Sequence, residues 1–244
     1  MVPPLSLHAW LRYDAIQRLL SHVDDAYTLL EIGAGLGSVG VMLARRFAYV
    51  GLEADSRSYA TAAERFARAG VRRMVNGDLS ALGPTTSFDI VCAFEVLEHY
   101  EDDAGELSRW RDHLRPGGWM MISVPAGSDR FAAADERAGH FRRYDRHELT
   151  RLFQVAGFEA PKIVTYGCPI GYLLEAARNH IARRQSGHAG LSASARTAAS
   201  GRWLQPGDAL APAMIAAAAP FRLLQRPFGD SFLGTGHVAL ARAV

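Results

Sequence analysis

The stretch LLEIGAGLGSVG, residues 29–40, joins a short apolar run to one carboxylate and four glycines. An apolar run of this length that ends in glycine is typical of a buried strand followed by a turn. Glycine adopts backbone angles that other residues avoid, and it lets a ligand approach the main chain closely. The stretch therefore predicts a strand, a sharp turn and a helix beside a bound ligand.

Two interpretations of that ligand fit the glycine spacing. In the first, Gly35, Gly37 and Gly40 form the GxGxxG pattern of dinucleotide-binding proteins, and Asp55 follows Gly35 by 20 residues. An acid at that distance binds the ribose hydroxyls of the dinucleotide. A single match to this pattern has low specificity, so it does not exclude the second interpretation.

The second interpretation begins at an acidic residue. Glu31 precedes a GxGxG turn made of Gly33, Gly35 and Gly37, and Glu53 follows Gly33 by 20 residues. Both interpretations place a nucleoside where the strand order of an open α/β sheet reverses, with an acid on its ribose. The stretch by itself leaves the choice between them open.

The flanking sequence predicts the rest of the sheet. Short apolar runs alternate with longer helical patterns, and this alternation is typical of a parallel sheet with helices on both faces. Helical patterns cover residues 38–47, 56–70, 101–114 and 147–158. Strand patterns cover residues 27–33, 48–55, 71–78, 119–125, 162–167 and 234–244, and residues 88–99 begin as a strand and end in a loop.

Composition limits the class of protein. A chain of 244 residues with 49% hydrophobic and 21% charged residues can bury one sizeable core, so we predict a single domain over residues 1–244. A net charge of +2 provides no general basic surface for nucleic acid. The first ten residues lack the features of a signal peptide, and no apolar run reaches the ~18 to 20 residues that span a bilayer. We expect a cytoplasmic monomer or homodimer, and contact with a membrane surface stays open.

Five motifs then follow one another in a typical order. They are LLEIGAGLG (29–37), GLEAD (51–55), NGDLS (76–80), FDIVCAFEVLEH (88–99) and LRPGGWMMISVP (114–125). In this order the chain closely resembles the class I S-adenosylmethionine-dependent methyltransferases, over roughly residues 25 to 160. The resemblance implies an α/β fold with a doubly wound, seven-stranded, mostly parallel sheet. It also leaves residues 168–233 as a helical insertion or lid before the last strand.

The resemblance implies S-adenosylmethionine as the cofactor and assigns roles to individual residues. Glu53 would accept hydrogen bonds from both ribose hydroxyls, Glu31 would orient the methionine portion, and Asp78 would contact the adenine edge. Arg12 and Tyr13 either close over the cofactor's carboxylate or form a pair on a surface helix. The predicted cofactor-binding residues are Tyr13, Glu31, Gly33, Ala34, Gly35, Gly37, Glu53, Ala54, Asp78, Leu79, Phe94, Glu95 and His99.

The predicted reaction is methyl transfer to a small molecule, most simply at oxygen. A hydroxyl acceptor needs a base, and histidine suits this role because its ordinary pKa is near ~6.5. The candidate catalytic residues are His140, His99 and Tyr144. Arg142 and Arg143 either contact an anionic substrate or form a solvated face. The spacing of HFRRYDRH (140–147) does not predict a metal site, and Cys92 is expected to be buried in a strand.

Residues 168–233 carry the least information about function. The insertion either packs helices over the sheet or at a dimer contact, or forms an apolar lid for a lipid-like acceptor. Pro212 and Pro220 are expected to break the apolar segment 208–228, and residues 186–201 are expected to form a mobile loop or lid. The family resemblance implies an O-methyltransferase of secondary metabolism or of a modified sugar. N- or C-methylation of a lipid-like acceptor and non-catalytic cofactor binding remain alternatives.

Overall fold

The computed structural model describes residues 5–71, 73–83, 85–184 and 211–244. Within them, seven strands form one sheet in the order β3-β2-β1-β4-β5-β7-β6, with only β7 antiparallel to its neighbours. The predicted doubly wound, mostly parallel sheet is therefore confirmed. The strands are β1 (Thr28–Ile32), β2 (Ala48–Glu53), β3 (Met74–Asn76), β4 (Phe88–Phe94), β5 (Leu114–Pro125), β6 (Lys162–Tyr166) and β7 (Gly236–Arg242).

Helices cover both faces of this sheet. They are α1 (Leu7–Leu20), α2 (Ser38–Leu43), α3 (Ser56–Arg68), α4 (Asp103–Arg111), α5 (Ala133–Ala138), α6 (Arg146–Val155), α7 (Ile170–Arg184) and α8 (Ala211–Leu224). Successive strand residues face opposite sides. Leu29 therefore packs in the core formed with α1, α2 and α8, and Leu30 packs in the core formed with α4 and α6. Cys92 is buried in β4, as expected.

The junction between α4 and β5 differs from the prediction. The helix ends at Arg111 rather than near residue 114, and β5 already begins at Leu114. Phe88 pairs with Leu114 while Ile90 pairs with Trp119, so residues 115–118 form an irregularity in the strand. The sequence RPGG, residues 115–118, therefore forms a bulge within β5, and the strand begins before it.

Two further helices were not foreseen in their observed form. Helix α1 begins after Ser6, whose hydroxyl oxygen accepts a hydrogen bond of 3.3 Å from the Ala9 N–H, and its apolar face is buried. Helix α8 runs through Pro220, which corrects the expectation of a break. Pro220 removes the helical donor of the Ala216 carbonyl, and both residues lie exposed, so this part of the helix faces solvent.

Helices α7 and α8 both lie between β6 and β7, where the sequence predicted a helical insertion. The predicted loop at 186–201 lies outside the described residues. In the parts of the chain that the structure describes, no helix combines the length and the apolar character needed to span a membrane.

Candidate functional site

A cavity of about 630 Å³ opens where the carboxyl ends of β1, β2 and β4 meet. This is the point where the strand order reverses, since β1 lies between β2 and β4. The predicted site residues that line the cavity are Glu31, Gly33, Ala34, Gly35, Glu53, Ala54, Asp78, Phe94, Glu95, His99 and His140. Residues from four of the five motifs, together with His140, are thus brought to one edge of the sheet.

The glycine turn leaves the main chain open to this cavity. Gly35 has φ +56°, and a Cβ atom added to it would meet no heavy atom within 4 Å. Its N–H donates a hydrogen bond of 2.7 Å to Glu53 Oε2. The other carboxylate oxygen of Glu53 accepts a hydrogen bond of 2.8 Å from the Asp55 N–H. These two backbone donors hold the Glu53 carboxylate at the rim, and each oxygen retains capacity to accept another hydrogen bond.

Glu31 lies deeper in the same cavity. It is 2% exposed, and its Oε2 accepts a hydrogen bond of 2.6 Å from the Tyr49 hydroxyl. Burial raises the pKa of Glu31 to about 7, although the Tyr49 hydrogen bond and the charge of Arg12 oppose the rise. A Cβ atom on Gly40 would lie 2.3 Å from the Tyr49 hydroxyl oxygen and 2.7 Å from Glu31 Oε2. Gly40 is therefore required for this buried pair, a role that its position in the sequence does not reveal.

Glu95 forms the centre of a second polar cluster. Its φ of +59° is the only positive φ of a non-glycine residue in the described part of the chain, and such strain is typical of functional sites. Its Oε1 accepts hydrogen bonds from the hydroxyls of Ser123 (2.9 Å) and Tyr166 (3.2 Å) and lies 3.4 Å from Arg12 Nη1. Burial alone would raise the pKa of Glu95, but the charges of Arg12 and His8 outweigh this and lower it to about 2.

Arg12 and His8 reach the cavity from α1. The Arg12 Nε is buried and has no hydrogen-bond partner among the described residues. Burial, with the charge of Arg178, lowers the pKa of His8 to about 3, and His8 Nε2 lies 3.1 Å from Thr235 Oγ1. His8 is not among the residues predicted for the site, because nothing in the local sequence pattern distinguishes it from an exposed residue on a helix.

Four predicted site residues lie outside the cavity lining. Tyr13 is one helix position beyond Arg12, so it faces another direction and packs edge-on against Trp10. Gly37 is the left-handed cap before α2, and Leu79 packs against the core formed with α4 and α6. Tyr144 is buried in that core and its hydroxyl donates a hydrogen bond of 3.0 Å to Asp103 Oδ2, which corrects its assignment as a catalytic candidate.

Three titratable side chains, Glu98, His99 and His140, meet beside the cavity, and the two histidines line it. His99 and Glu98 belong to a short 3₁₀ turn after β4, and His140 follows α5. The two imidazole rings are 4.8 Å apart in an edge-to-face arrangement. His140 Nδ1 lies 2.9 Å from Asp135 Oδ1, and His99 Nδ1 lies 3.3 Å from the carbonyl oxygen of Gly139. Burial and the charge of His140 lower the pKa of His99 to about 4, so its ring is neutral near pH 7.

Arg143 does not form the solvated face that was considered for it. It is 7% exposed, and its guanidinium lies 2.8 Å from Asp135 Oδ2 and 2.7 Å from Glu175 Oε1. Its neighbour Arg142 is more exposed and contacts the carbonyl oxygen of Glu101. Arg143 therefore joins α7, which carries Glu175, to the aspartate that holds His140.

Helices α7 and α8 form one wall of the cavity. Leu174, Ala177 and Ile181 of α7 line it together with Met214 of α8. The insertion therefore faces the site rather than only thickening the sheet. Its spacing predicted helices, but only the tertiary structure shows which apolar residues face the cavity.

Comparison with known proteins agrees with this architecture. A family model described as a methyltransferase domain matches residues 8–163. A probable S-adenosylmethionine-dependent methyltransferase of Mycolicibacterium smegmatis is 32% identical over 154 residues, which cover 61% of this chain and 58% of the relative. A ubiquinone biosynthesis O-methyltransferase of Paramagnetospirillum magneticum is 35% identical over 101 residues, 40% of each protein. The chain thus spans about half the length of these curated relatives.

A solved structure provides the corresponding match in three dimensions. The S-adenosylmethionine-dependent methyltransferase of Geobacter sulfurreducens, in complex with S-adenosylhomocysteine, has a TM-score of 0.57 and 15% identity, covering 100% of this chain and 93% of its own. The sheet order and the cavity at its switch point define the class, which is the class I S-adenosylmethionine-dependent methyltransferase fold. The chain belongs to the methyltransferase-domain family, whose cofactor is S-adenosylmethionine. The predicted cofactor, S-adenosylmethionine, is confirmed for the family, and the roles of Glu31 and Glu53 in binding it stay predictions.

Proposed function

We propose that this chain transfers the methyl group of S-adenosylmethionine to an oxygen atom of a small-molecule acceptor. The observation that carries the proposal is one cavity lined by two chemically different groups of residues. Carboxylates and an open glycine backbone form the part that we call the glycine end, and two partly buried histidines, His99 and His140, form the part that we call the histidine end. An apolar wall from α7 borders the same space.

The glycine end fits the nucleoside of the cofactor. The Glu53 carboxylate is fixed by two backbone N–H groups and can still accept from two hydroxyls, as a ribose requires. Asp78 lies beside it, and its Oδ1 is held by the N–H and hydroxyl of Ser80 at 2.9 and 2.6 Å. We assign Asp78 to the adenine edge. Gly35 leaves room for the ligand to pass close to the main chain.

The middle of the cavity fits the methionine portion, which carries an ammonium and a carboxylate. Glu31 supplies a buried carboxylate for the ammonium, and Arg12 supplies a buried N–H that has no acceptor of its own among the described residues. The carboxylate of Glu31 and the guanidinium of Arg12 have opposite charges, and they match the ammonium and the carboxylate of an amino-acid group. Each buried charge of the ligand then has a partner of opposite sign. Phe94 and the strained backbone at Glu95 border the same portion.

The histidine end fits an acceptor that loses a proton. When bound, the cofactor supplies an activated methyl carbon and a thioether leaving group. The chain has to align the acceptor oxygen with that carbon and exclude water. It also has to favour loss of the acceptor's proton, and His99 and His140 are the cavity-lining groups at this end whose chemistry suits that task.

The apolar wall indicates the body of the acceptor. Leu174, Ala177 and Ile181 favour an organic molecule with an apolar part, and the polar end beside His140 favours a hydroxyl on it. The relative named as a ubiquinone biosynthesis O-methyltransferase supports oxygen as the methylated atom. The same wall also suits the lipid-like acceptor that the sequence left open, with methylation at nitrogen or carbon.

Calorimetric titration with S-adenosylhomocysteine and with NAD tests the cofactor assignment. We expect the parent chain to bind S-adenosylhomocysteine and not NAD. Glu53→Gln should weaken binding about tenfold or more, because hydrogen bonds to a charged group contribute about 1.5–3 kcal/mol. Glu64→Gln is the matched control on the exposed face of α3 and should bind like the parent.

A methyl-label screen against hydroxylated, amino and lipid-like acceptors tests the reaction. Transfer to a hydroxyl, located by product analysis, supports the proposal. Label found only on nitrogen or carbon would reject the oxygen assignment. Binding of NAD in place of S-adenosylhomocysteine would reject the cofactor assignment itself.

A further inference from the structure

At the histidine end of the cavity, three side chains lie close enough together to act as ligands of one metal ion. Glu98, His99 and His140 each offer one ligand atom, and these atoms lie within 4.8 Å of one another. The residues come from two segments separated by 40 positions, which is why the spacing within HFRRYDRH does not predict them. One carboxylate and two imidazoles are a donor set typical of transition-metal sites in proteins.

Glu98 is the member of this cluster whose burial needs an explanation. It is 0% exposed, and neither carboxylate oxygen receives a hydrogen bond from another described residue. A buried carboxylate is costly when ionised without a partner, and a neutral carboxyl group is costly when its O–H finds no acceptor. The contact that the structure records is His140 Nε2 at 3.9 Å from Glu98 Oε1, a distance too long for a hydrogen bond.

The two histidines are held as metal ligands are held. His140 Nδ1 lies 2.9 Å from Asp135 Oδ1, and His99 Nδ1 lies 3.3 Å from the Gly139 carbonyl oxygen. These contacts engage the Nδ1 atom of each ring, so Nε2 is the atom that each histidine would offer as a ligand. A ligating histidine commonly bonds a carboxylate or a carbonyl through its other nitrogen in this way.

The supporting groups are themselves fixed. Asp135 Oδ2 accepts hydrogen bonds from Arg143 Nε and from the Ala132 N–H, both at 2.9 Å. Asp135 is 3% exposed, so its orientation is set by packing as well as by these bonds. The aspartate, and through it the His140 ring, is therefore oriented before any ligand arrives.

We propose that Glu98, His99 and His140 bind a divalent transition-metal cation through one carboxylate oxygen and the two Nε2 atoms. Imidazole ligands favour Zn²⁺, Fe²⁺ or Ni²⁺ over Mg²⁺. Bonds of about 2.1 Å limit two ligand atoms on one ion to about 4.2 Å apart. The widest pair therefore has to close by at least about 0.6 Å, and by about 1.4 Å for tetrahedral coordination, which side-chain rotations provide.

The proposed cation deepens the function proposed above and rests on it. Three protein ligands leave further coordination positions facing the cavity, where an acceptor oxygen can bind. A cation at that position lowers the pKa of a hydroxyl that contacts it. Solvent takes the proton, the oxygen bonds to the methyl carbon, and the carbon–sulfur bond breaks with its electron pair on sulfur. His99 and His140 then act as ligands rather than as free bases.

Titration of the untagged, chelator-treated chain with Co²⁺, followed by visible absorption, tests the site, and Zn²⁺ competition gives its affinity. We expect one equivalent of Co²⁺ to bind. Glu98→Gln and His140→Gln should each weaken binding at least 100-fold. Asp135→Asn should weaken it about 10- to 100-fold by loosening His140. His22→Gln is the control, because His22 is an exposed histidine distant in sequence from the cluster.

Thermal melts of the metal-free variants exclude unfolding as the cause. Glu98→Gln should melt at or above the temperature of the parent, since it removes a buried carboxylate without a partner. Absence of stoichiometric Co²⁺ binding, or equal affinity in Glu98→Gln and parent, would overturn the metal site. S-adenosylhomocysteine affinity is measured on the same samples. Retained cofactor binding without metal binding rejects only the site, whereas metal binding without cofactor binding rejects the proposed function.

Discussion

Tyr49 of β2 donates a hydrogen bond of 2.6 Å to Glu31 of β1, and both side chains are buried beneath the glycine turn. Thr28 pairs with Ala48 in the ladder between these parallel strands, so Glu31 lies opposite Gly51 and two residues beyond Tyr49. Gly40 on α2 leaves the space in which the two side chains meet. Glu31 is thus held by Tyr49, which lies outside the five motifs, in a space that depends on Gly40.

The first prediction concerns stability and pH. The pKa of Glu31 is about 7 when folded and 4.5 ordinarily, so between these values the folded chain holds a proton that the unfolded chain has lost. The stabilisation is fully present below pH 4.5, and about 3 kcal/mol is lost as the pH rises through 7. The unfolding free energy of the parent should therefore fall relative to Glu31→Gln over this range, in urea titrations without cofactor.

Tyr49→Phe provides the control for that measurement. It removes the hydrogen bond that opposes the rise in the Glu31 pKa, so the loss of stability should move to higher pH. If the difference in unfolding free energy between the parent and Glu31→Gln does not change with pH, Glu31 does not titrate as the structure indicates.

The second prediction compares two glycines with equivalent backbones. Gly35 has φ +56° and Gly70 has φ +77°, and a Cβ on either would meet no atom within 4 Å. Alanine should cost about 1–2 kcal/mol of stability at both positions because of the left-handed backbone. Only Gly35→Ala should also weaken S-adenosylhomocysteine binding, by at least tenfold in calorimetry, since only Gly35 lines the cavity. Equal affinity in both variants would place the ligand away from the turn.

The third prediction separates stability from catalysis at Tyr144. Tyr144→Phe removes the hydrogen bond to Asp103 and should lower the free energy of unfolding by about 1 kcal/mol. Methyl transfer by the folded variant should stay within about twofold of the parent, because the side chain does not line the cavity. A large loss of turnover with unchanged stability would return Tyr144 to the site.

The fourth prediction contrasts neighbouring arginines. Arg143→Gln leaves the buried Asp135 without its ion-pair partner and should destabilise the fold by about 3 kcal/mol. Arg142→Gln should cost less than about 1 kcal/mol, since Arg142 is 42% exposed and pairs with Asp103 near solvent. Urea unfolding of both variants measures the difference. Similar losses of unfolding free energy in the two variants would show that Arg143 is not the buried link between α7 and Asp135.

The strands and the glycine turn could be predicted because their signals are local. Apolar runs, glycine spacing and the acids at strand ends depend on neighbours a few residues away, and Glu31, Gly35 and Glu53 followed from them. Tyr13 and Tyr144 were misplaced because adjacency in sequence does not set which side of a helix, or which face of a sheet, a side chain takes. The bulge at residues 115–118 was missed because it depends on the partner strand.

By itself, the sequence determined the sheet, its switch point and the acids on its carboxyl edge, because a parallel α/β fold brings every strand's carboxyl end to one side. Only the tertiary structure decided which side chains meet at the histidine end of the cavity. Glu98, His99 and His140 meet there because a turn after β4 packs against the segment after α5. That contact is set by packing between elements distant in sequence, and no local spacing encodes it.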